Sequence, residues 1–358
     1  MKRRIFLAHT LGLAASALGF TLAGMAGRSF AASVQSHRVL DLELIDADRQ
    51  RPVPVRLYLP EQANPAQPVP LVVFSHGLGG SRLGYSYLAS YWANSGVASL
   101  HPQHVGSDNS VWRGNPLEMV QRLQSAARES EALARVLDLR FALDHVLASE
   151  HSRLIDAGNI AVAGHSYGAN TAMLIAGARV ASAGSEPSDL RDTRIRAAIL
   201  ISAPPILGQG PADQVLGPVS IPTLHVTSLE DTINIPGDRS TVEDRIAIFD
   251  AMNRSPRTLA VFNTGGHSIF TDRTTRSGPD ISMRIKTATR ELSMLFLQHS
   301  LLVGGRTTNS ERIDAQAGLK SRMVALSDVA DARQNMHHWL ERHKDLLDRF
   351  VLPNATAT

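Results

Sequence analysis

The 358-residue chain contains no cysteine. That absence removes disulfide frameworks, thiolate-bound zinc, cysteine-ligated iron–sulfur clusters and cysteine nucleophiles together, so covalent catalysis would have to start from another side chain. Internal repeats and low-complexity tracts are also lacking. With 43% hydrophobic and 19% charged residues, the composition is that of a globular protein, neither disordered nor polytopic, with enough chain for a sizeable core.

Acidic residues are absent from the basic N-terminus. Residues 1–32 hold Lys2, Arg3, Arg4 and Arg28 without a single Asp or Glu. Ile5-Phe6-Leu7 follows the two arginines, then a Gly/Ala/Leu-rich run to about Gly27, then Ser29-Phe30-Ala31-Ala32. A basic start, a moderately apolar stretch and small residues at −3 and −1 of a cut after Ala31 make an export signal at 1–31. The adjacent arginines resemble the twin-arginine type, which implies passage through twin-arginine export machinery and a periplasmic or secreted location. A retained membrane anchor is the competing reading, weakened by Gly12, Gly19, Gly24, His9 and Thr10 within the apolar run. The formal charge of +3 belongs to this segment. Without its four basic residues, 32 Lys and Arg face 33 Asp and Glu, and a nucleic-acid partner is not expected.

From His37 the pattern is that of strands, turns and helices. His37–Asp46 and Val53–Leu59 read as two strands, and a proline-rich connector from Pro60 to Pro70 leads to Leu71–Phe74. Short apolar runs typical of strands buried on both faces recur at Val97–Leu100, Ile160–Ala163, Ile195–Ile201, Thr223–Val226 and Thr258–Phe262. Helices are expected at about 82–95, 117–149, 167–182, 240–253 and 281–302. This alternation predicts an α/β domain over 36–302, with a mostly parallel central sheet of about eight strands flanked by helices. Residues 303–358 read as a C-terminal helical appendage, amphipathic over Val329, Met336, Leu340, Leu347 and Phe350.

Ile160–Ala163 runs into Gly164-His165-Ser166-Tyr167-Gly168, followed by the helix-forming Ala169–Ala178. A serine at a sharp strand-to-helix turn needs glycines on either side, because side chains there would collide with neighbouring backbone. The helix start behind it favours negative charge developing beside the serine. Such a nucleophile requires a base, an orienting acid and oxyanion donors. His267, after the last strand in Asn263-Thr264-Gly265-Gly266-His267, is the candidate base, in preference to His299 within a helix and His225 within a strand. Asp231 at the end of Ser228-Leu229-Glu230-Asp231 is the candidate acid, in preference to its neighbour Glu230. Ser75-His76-Gly77-Leu78-Gly79-Gly80 closes another strand with a glycine loop that can present the Leu78 N–H, and the Tyr167 N–H supplies the second oxyanion donor. Each piece lies just past the carboxyl end of an expected strand, where open α/β sheets gather functional groups.

Over roughly residues 36–300 the chain resembles the α/β-hydrolase superfamily. The loop at 75–80, the elbow at 164–168 and Asp231 are most similar to the serine-using platelet-activating-factor acetylhydrolase and dienelactone-hydrolase-like branch. The dienelactone hydrolases proper use a cysteine nucleophile, which this chain cannot supply. The resemblance implies the α/β-hydrolase fold and a serine carboxylesterase with Ser166 as nucleophile, His267 as base and Asp231 as acid, needing no cofactor or metal. A small-molecule, lipid or polymer ester would then be the substrate. Hydrolysis, acyl transfer by the same triad and a catalytically silent binding protein all stay open at this point.

Other polar clusters bear on the same sheet edge. His101, His104 and Asp108, with His76, gather imidazoles and a carboxylate but match no common zinc spacing, and hydrogen bonds that structure the loops are the expectation. His76 and Trp112 are candidate substrate contacts, and Tyr85 and Tyr87 divide between pocket lining and core. His337, Glu341 and His343 read as a solvated helix face.

Overall fold

In the computed structural model, the described residues are 36–181, 188–206, 208–235, 238–273, 275, 277–303, 331 and 334–353. The export signal expected at 1–31 and most of the polar start of the C-terminal stretch lie outside them. Nine strands form the main sheet: β1 His37–Leu42, β2 Val55–Pro60, β3 Val69–Ser75, β4 Ala98–Pro102, β5 Ile155–His165, β6 Ile195–Ile201, β7 Thr223–Ser228, β8 Arg257–Phe262 and β9 Leu347–Val351. Their spatial order is β1-β2-β4-β3-β5-β6-β7-β8-β9. Pairing is parallel from β4 to β8, and antiparallel at β1–β2, β2–β4 and β8–β9.

The central strands are buried on both faces, which explains why they read as unbroken apolar runs. Alternate residues divide between two cores. Leu71, Val73, Val162 and Leu200 pack with Leu139, Leu143 and Val146 of α3 (Glu129–Ala148) and with α4 (Tyr167–Ala176). Val72, Phe74, Ala163, Ile199 and Val226 pack with Leu88 and Trp92 of α1 (Ser86–Asn94) and with Ile285, Leu292 and Phe296 of α7 (Pro279–Leu297). Two further helices, α5 (Ala212–Leu216) and α6 (Val242–Ala251), follow β6 and β7. No helix among the described residues is long and apolar enough to cross a membrane.

Four local expectations are corrected. The helix expected over 117–149 is two helices, α2 (Pro116–Ala126) and α3, because Arg128 takes an extended backbone at φ −71°, ψ 152°. The helix after Ser166 stops at Ala176, where Gly177 adopts the left-handed conformation (φ 117°). The C-terminal stretch is not helical throughout: residues 334–343 are helical, but Leu347–Val351 is the ninth strand. That strand pairs with β8 from Phe262↔Leu347 to Leu259↔Val351 and covers an edge otherwise open to pairing. Trp339, on the helix before it, is fully buried, donates to the Ala288 carbonyl of α7 (3.0 Å) and packs on Phe350. His343 turns inward as well, to Glu291 at 3.0 Å, and does not join a solvated face.

A buried carboxylate ties the N-terminal region to the sheet. Asp138 of α3 has no exposed side-chain surface and accepts from Arg49 Nη1 (2.9 Å), Arg51 Nε and Nη2 (2.9 and 3.1 Å) and His104 Nδ1 (3.1 Å). Two guanidinium groups compensate its desolvation, and removing one member of such a cluster strands the others. We expect Asp138→Ala to lower unfolding free energy by about 3–5 kcal/mol in urea titration. A change below about 1 kcal/mol would show that the cluster does not anchor the fold.

Candidate functional site

The elbow begins where β5 ends. Ser166 stands between β5 and α4 with φ 56° and ψ −126°, a strained backbone for a side-chain-bearing residue. Both flanking glycines are required by close approach. A Cβ on Gly164 would sit 2.1 Å from the Gly168 carbonyl oxygen, and one on Gly168 would sit 1.9 Å from the Ser75 carbonyl oxygen. The Ser166 N–H is held by the Ile201 carbonyl at the end of β6 (2.9 Å), so the turn is pinned to the neighbouring strand.

The structure brings Ser166, His267 and Asp231 together although they come from three separate loops. His267 Nε2 lies 2.8 Å from Ser166 Oγ, and His267 Nδ1 lies 2.8 Å from Asp231 Oδ1. A carboxylate only accepts, so Nδ1 carries the proton and the bare Nε2 accepts from the serine hydroxyl. Asp231 is fully buried, whereas the His267 side chain keeps about a fifth of its surface exposed. The other carboxylate oxygen accepts from Thr227 Oγ1 (2.8 Å) and faces Arg245 Nε of α6 (3.4 Å). Burial pushes the Asp231 carboxyl up, but the hydrogen bond and charge of His267, the Arg245 guanidinium and the Ser202 hydroxyl outweigh it and hold the group below the usual carboxylate range. Glu230 is engaged elsewhere, accepting from Thr264 Oγ1 and the Gly265 N–H. His225 is a buried strand histidine bonded to Thr223 Oγ1.

Two backbone N–H groups come from the elements that meet at the serine, the loop after β3 and the start of α4. In the loop after β3 the N–H groups of Gly77, Gly79 and Gly80 are bound to Tyr85 Oη, the Ser107 carbonyl and the Gly77 carbonyl, and among the described residues that of Leu78 has no protein acceptor. Tyr167 opens α4, and the first N–H groups bonded back to the Ser166 carbonyl belong to Ala169 and Asn170. Gly168 packs against the Ser75 and His76 carbonyls, so the loop carrying Leu78 lies directly on the first turn of α4.

Beneath this contact lies Arg135 of α3, fully buried. It donates to Ser75 Oγ (3.0 Å), the His76 carbonyl, Ser107 Oγ (2.8 Å) and Thr171 Oγ1 (3.0 Å), and its guanidinium lies 4.6 Å from the Tyr167 ring centroid. Burial pushes the guanidinium down to about 10, which leaves it charged at neutral pH. Sequence reasoning missed Arg135, Arg245 and Thr227. Thr227 carried a weak signal, four residues before Asp231 at a strand end, but the two arginines lie on helices whose local pattern says nothing of distant partners.

The candidate substrate residues divide. His76 is corrected: it is 1% exposed, and both ring nitrogens are taken by backbone, Nδ1 donating to the Gly77 carbonyl (2.8 Å) and Nε2 accepting from the His104 N–H (3.1 Å). Trp112 is 45% exposed and lies on the glycine loop, its Nε1 donating to the Gly79 carbonyl at 2.9 Å. Gly79 (φ 68°) leaves room for that indole, which a Cβ would meet at 2.2 Å. Tyr85 is buried, and the Tyr87 hydroxyl donates to the Phe270 carbonyl (3.1 Å). The remaining imidazoles structure loops: His104 bridges Asp138 and Ser75 Oγ (3.0 Å), and His101 bonds Ser99 Oγ (3.2 Å). Asp108 caps the turn at Ser110, whose N–H it accepts at 3.1 Å.

A family model described as platelet-activating factor acetylhydrolase, isoform II, matches residues 51–114, a span that contains the Leu78 loop and Trp112 but not Ser166, Asp231 or His267. Among solved structures, the chain is similar to a ferulic acid esterase from Streptomyces cinnamoneus, with TM-score 0.54, 21% identity and coverage of 76% of this chain and 92% of that one. It is also similar to a dienelactone hydrolase from Anabaena variabilis, with TM-score 0.50, 17% identity and coverage of 74% of this chain and 100% of that one. No curated protein sequence matches the chain significantly. The chain has the α/β-hydrolase fold.

The buried histidines set an acid limit on this architecture. Burial pushes His101, His165 and His225 down to about 3, and His76 and His104 also lie well below the ordinary imidazole range. On unfolding each regains a value near 6.5, so between about pH 6.5 and pH 3 the unfolded chain binds more protons than the folded one. Stability is full above that window and falls with pH within it, by up to about 1.4 kcal/mol per pH unit for each histidine. Urea midpoints at pH 7.5 and pH 5 should therefore differ sharply, with the lower one at pH 5. Equal midpoints would contradict the burial of neutral imidazoles.

Proposed function

We propose that the chain is an exported serine hydrolase that cleaves carboxylic esters through an acyl-enzyme. The observation that carries this reading is the continuous hydrogen-bonded path from Ser166 Oγ through the His267 imidazole to the buried Asp231. Ser166 Oγ attacks the ester carbonyl while His267 Nε2 takes its proton. Asp231 holds the imidazole in the Nδ1–H tautomer and stabilises the imidazolium that forms. The N–H groups of Leu78 and Tyr167 receive the oxyanion, with the first turn of α4 adding favourable potential. Collapse of the tetrahedral species expels the alcohol, protonated by His267, and leaves Ser166 acylated. Water activated by the same imidazole then releases the acid and restores the serine.

Support comes from three sides: the strained backbone at Ser166, the packing of the Leu78 loop on the first turn of α4, and the likeness to an esterase fold and to part of an acetylhydrolase family model. Trp112, exposed and hydrogen-bonded to the loop that carries Leu78, would form one wall of the ester site. Export rests on residues 1–31, and a chain recovered outside the cytoplasm should begin at Ala32 on N-terminal sequencing.

Short-chain p-nitrophenyl ester hydrolysis tests the chemistry. Ser166→Ala should lower kcat by several orders of magnitude, and Asp231→Asn by about 10⁴-fold through the wrong imidazole tautomer. Wild-type turnover by Ser166→Ala would sink the proposal.

A further inference from the structure

His165 stands immediately before the nucleophile, and the triad does not use it. It is 3% exposed, and its ring lies against that of His267 with centroids 4.8 Å apart and planes 33° from parallel. Its Nε2 lies 3.1 Å from the backbone carbonyl oxygen of His267, and its Nδ1 lies 2.9 Å from the hydroxyl of Tyr85. That hydroxyl in turn receives the N–H of Gly77 at 3.3 Å.

The direction of every bond in this chain is fixed from one end. A carbonyl oxygen only accepts, so His165 Nε2 must carry a proton. Burial keeps the ring neutral, so Nδ1 is bare and accepts from the Tyr85 O–H. The Tyr85 oxygen, having donated its proton, is free to accept from Gly77. Gly77 immediately precedes Leu78, whose N–H is the proposed oxyanion donor. The chain therefore begins on the oxyanion loop and ends on the backbone of the proposed base.

The local backbone is shaped for it. Tyr85 adopts the left-handed conformation (φ 62°, ψ 29°), which an aromatic side chain rarely takes and a glycine would take freely. Glycine occupies the preceding position, yet tyrosine stands where the strain falls, so the side chain is what the site retains. The ring is locked by Phe74 at a centroid distance of 4.6 Å. Gly77 lies close over both partners: a Cβ there would sit 3.2 Å from His165 Nδ1 and 3.3 Å from Tyr85 Oη.

We propose that Tyr85 and His165 are positioning residues that couple the oxyanion loop to the general base, so that the Leu78 donor and the His267 imidazole keep one mutual geometry. The proposal rests on the serine-hydrolase reading and deepens it. Neither residue touches the reacting atoms. Both act by holding groups that do, and a small displacement of such groups is felt in turnover more than in substrate binding.

The test uses the mature chain, a short-chain p-nitrophenyl ester and five variants, with thermal melting run on each. Tyr85→Phe removes one oxygen and leaves the ring, and His165→Phe leaves the stacking and removes both bonds. Each should lower kcat about tenfold with KM within about twofold of wild type. The double variant should be no worse than either single one, because the chain is already broken. His165→Gln places an amide nitrogen near the position of Nε2, restores donation to the His267 carbonyl, and should recover part of the loss. Wild-type kcat in Tyr85→Phe and His165→Phe, losses that multiply in the double variant, or losses confined to KM would each overturn the coupling. Ser166→Ala in the same assay separates the two claims. If it is inactive while Tyr85→Phe is wild type, only the coupling falls, whereas residual full activity in Ser166→Ala removes the hydrolase reading itself.

Discussion

The left-handed backbone at Ser166 is the constraint on which the rest of the site depends. A side-chain-bearing residue holds φ 56° here because the strand before it, the helix after it and the Ile201 carbonyl beside it leave no alternative. Such strain costs on the order of 1–3 kcal/mol and survives only where the surroundings over-determine it. They do so through contacts that admit no Cβ at residues 164 and 168. Since Gly168 touches the Ser75 and His76 carbonyls, the turn at Ser166 and the loop carrying Leu78 form a single packed contact. Positioning one positions the other.

Polar groups hold this contact from below and behind. Arg135 grips β3, the loop after it and α4 at once, and Asp138 and His104 extend the same network to the N-terminal arginines. Behind the base, Thr227 and Arg245 occupy the Asp231 oxygen that His267 leaves open. In a low-dielectric interior a hydrogen-bonded group such as Arg135 is held rigidly, whereas Arg245, whose Nε and Nη2 lack hydrogen-bond partners among the described residues, is held to Asp231 by charge. Under the proposed mechanism the Leu78 and Tyr167 dipoles would thus be fixed before substrate arrives, which is the condition for electrostatic stabilisation of an oxyanion.

What could be read from the sequence follows from how local each signal is. The buried strands announce themselves as short apolar runs, and the eight expected from 37 to 262 are all present in the sheet. The elbow was legible because the glycines at 164 and 168 are demanded by contacts within five residues of chain and by the neighbouring strand end. Asp231 and His267 were legible because strand carboxyl ends converge at one sheet edge, and the structure places both within hydrogen-bonding distance of the path to Ser166. The ninth strand was not, since Leu347, Phe350 and Val351 suit a helix face equally well until β8 offers an edge to pair with. His76 misled for a related reason: its place in the glycine loop is local, but its inward direction is held by the His104 N–H, 28 residues away. Arg135 was invisible because its partners lie 28 to 60 residues away on other elements.

Covalent capture tests the central claim most directly. The mature protein would be treated with a fluorophosphonate, and the adduct located by peptide mass mapping. A single phosphonyl group on Ser166 is expected, formed rapidly in the wild type and at least a hundredfold more slowly in His267→Ala, roughly the scale of general-base assistance. An adduct on any other serine, or equal rates with and without His267, would contradict it.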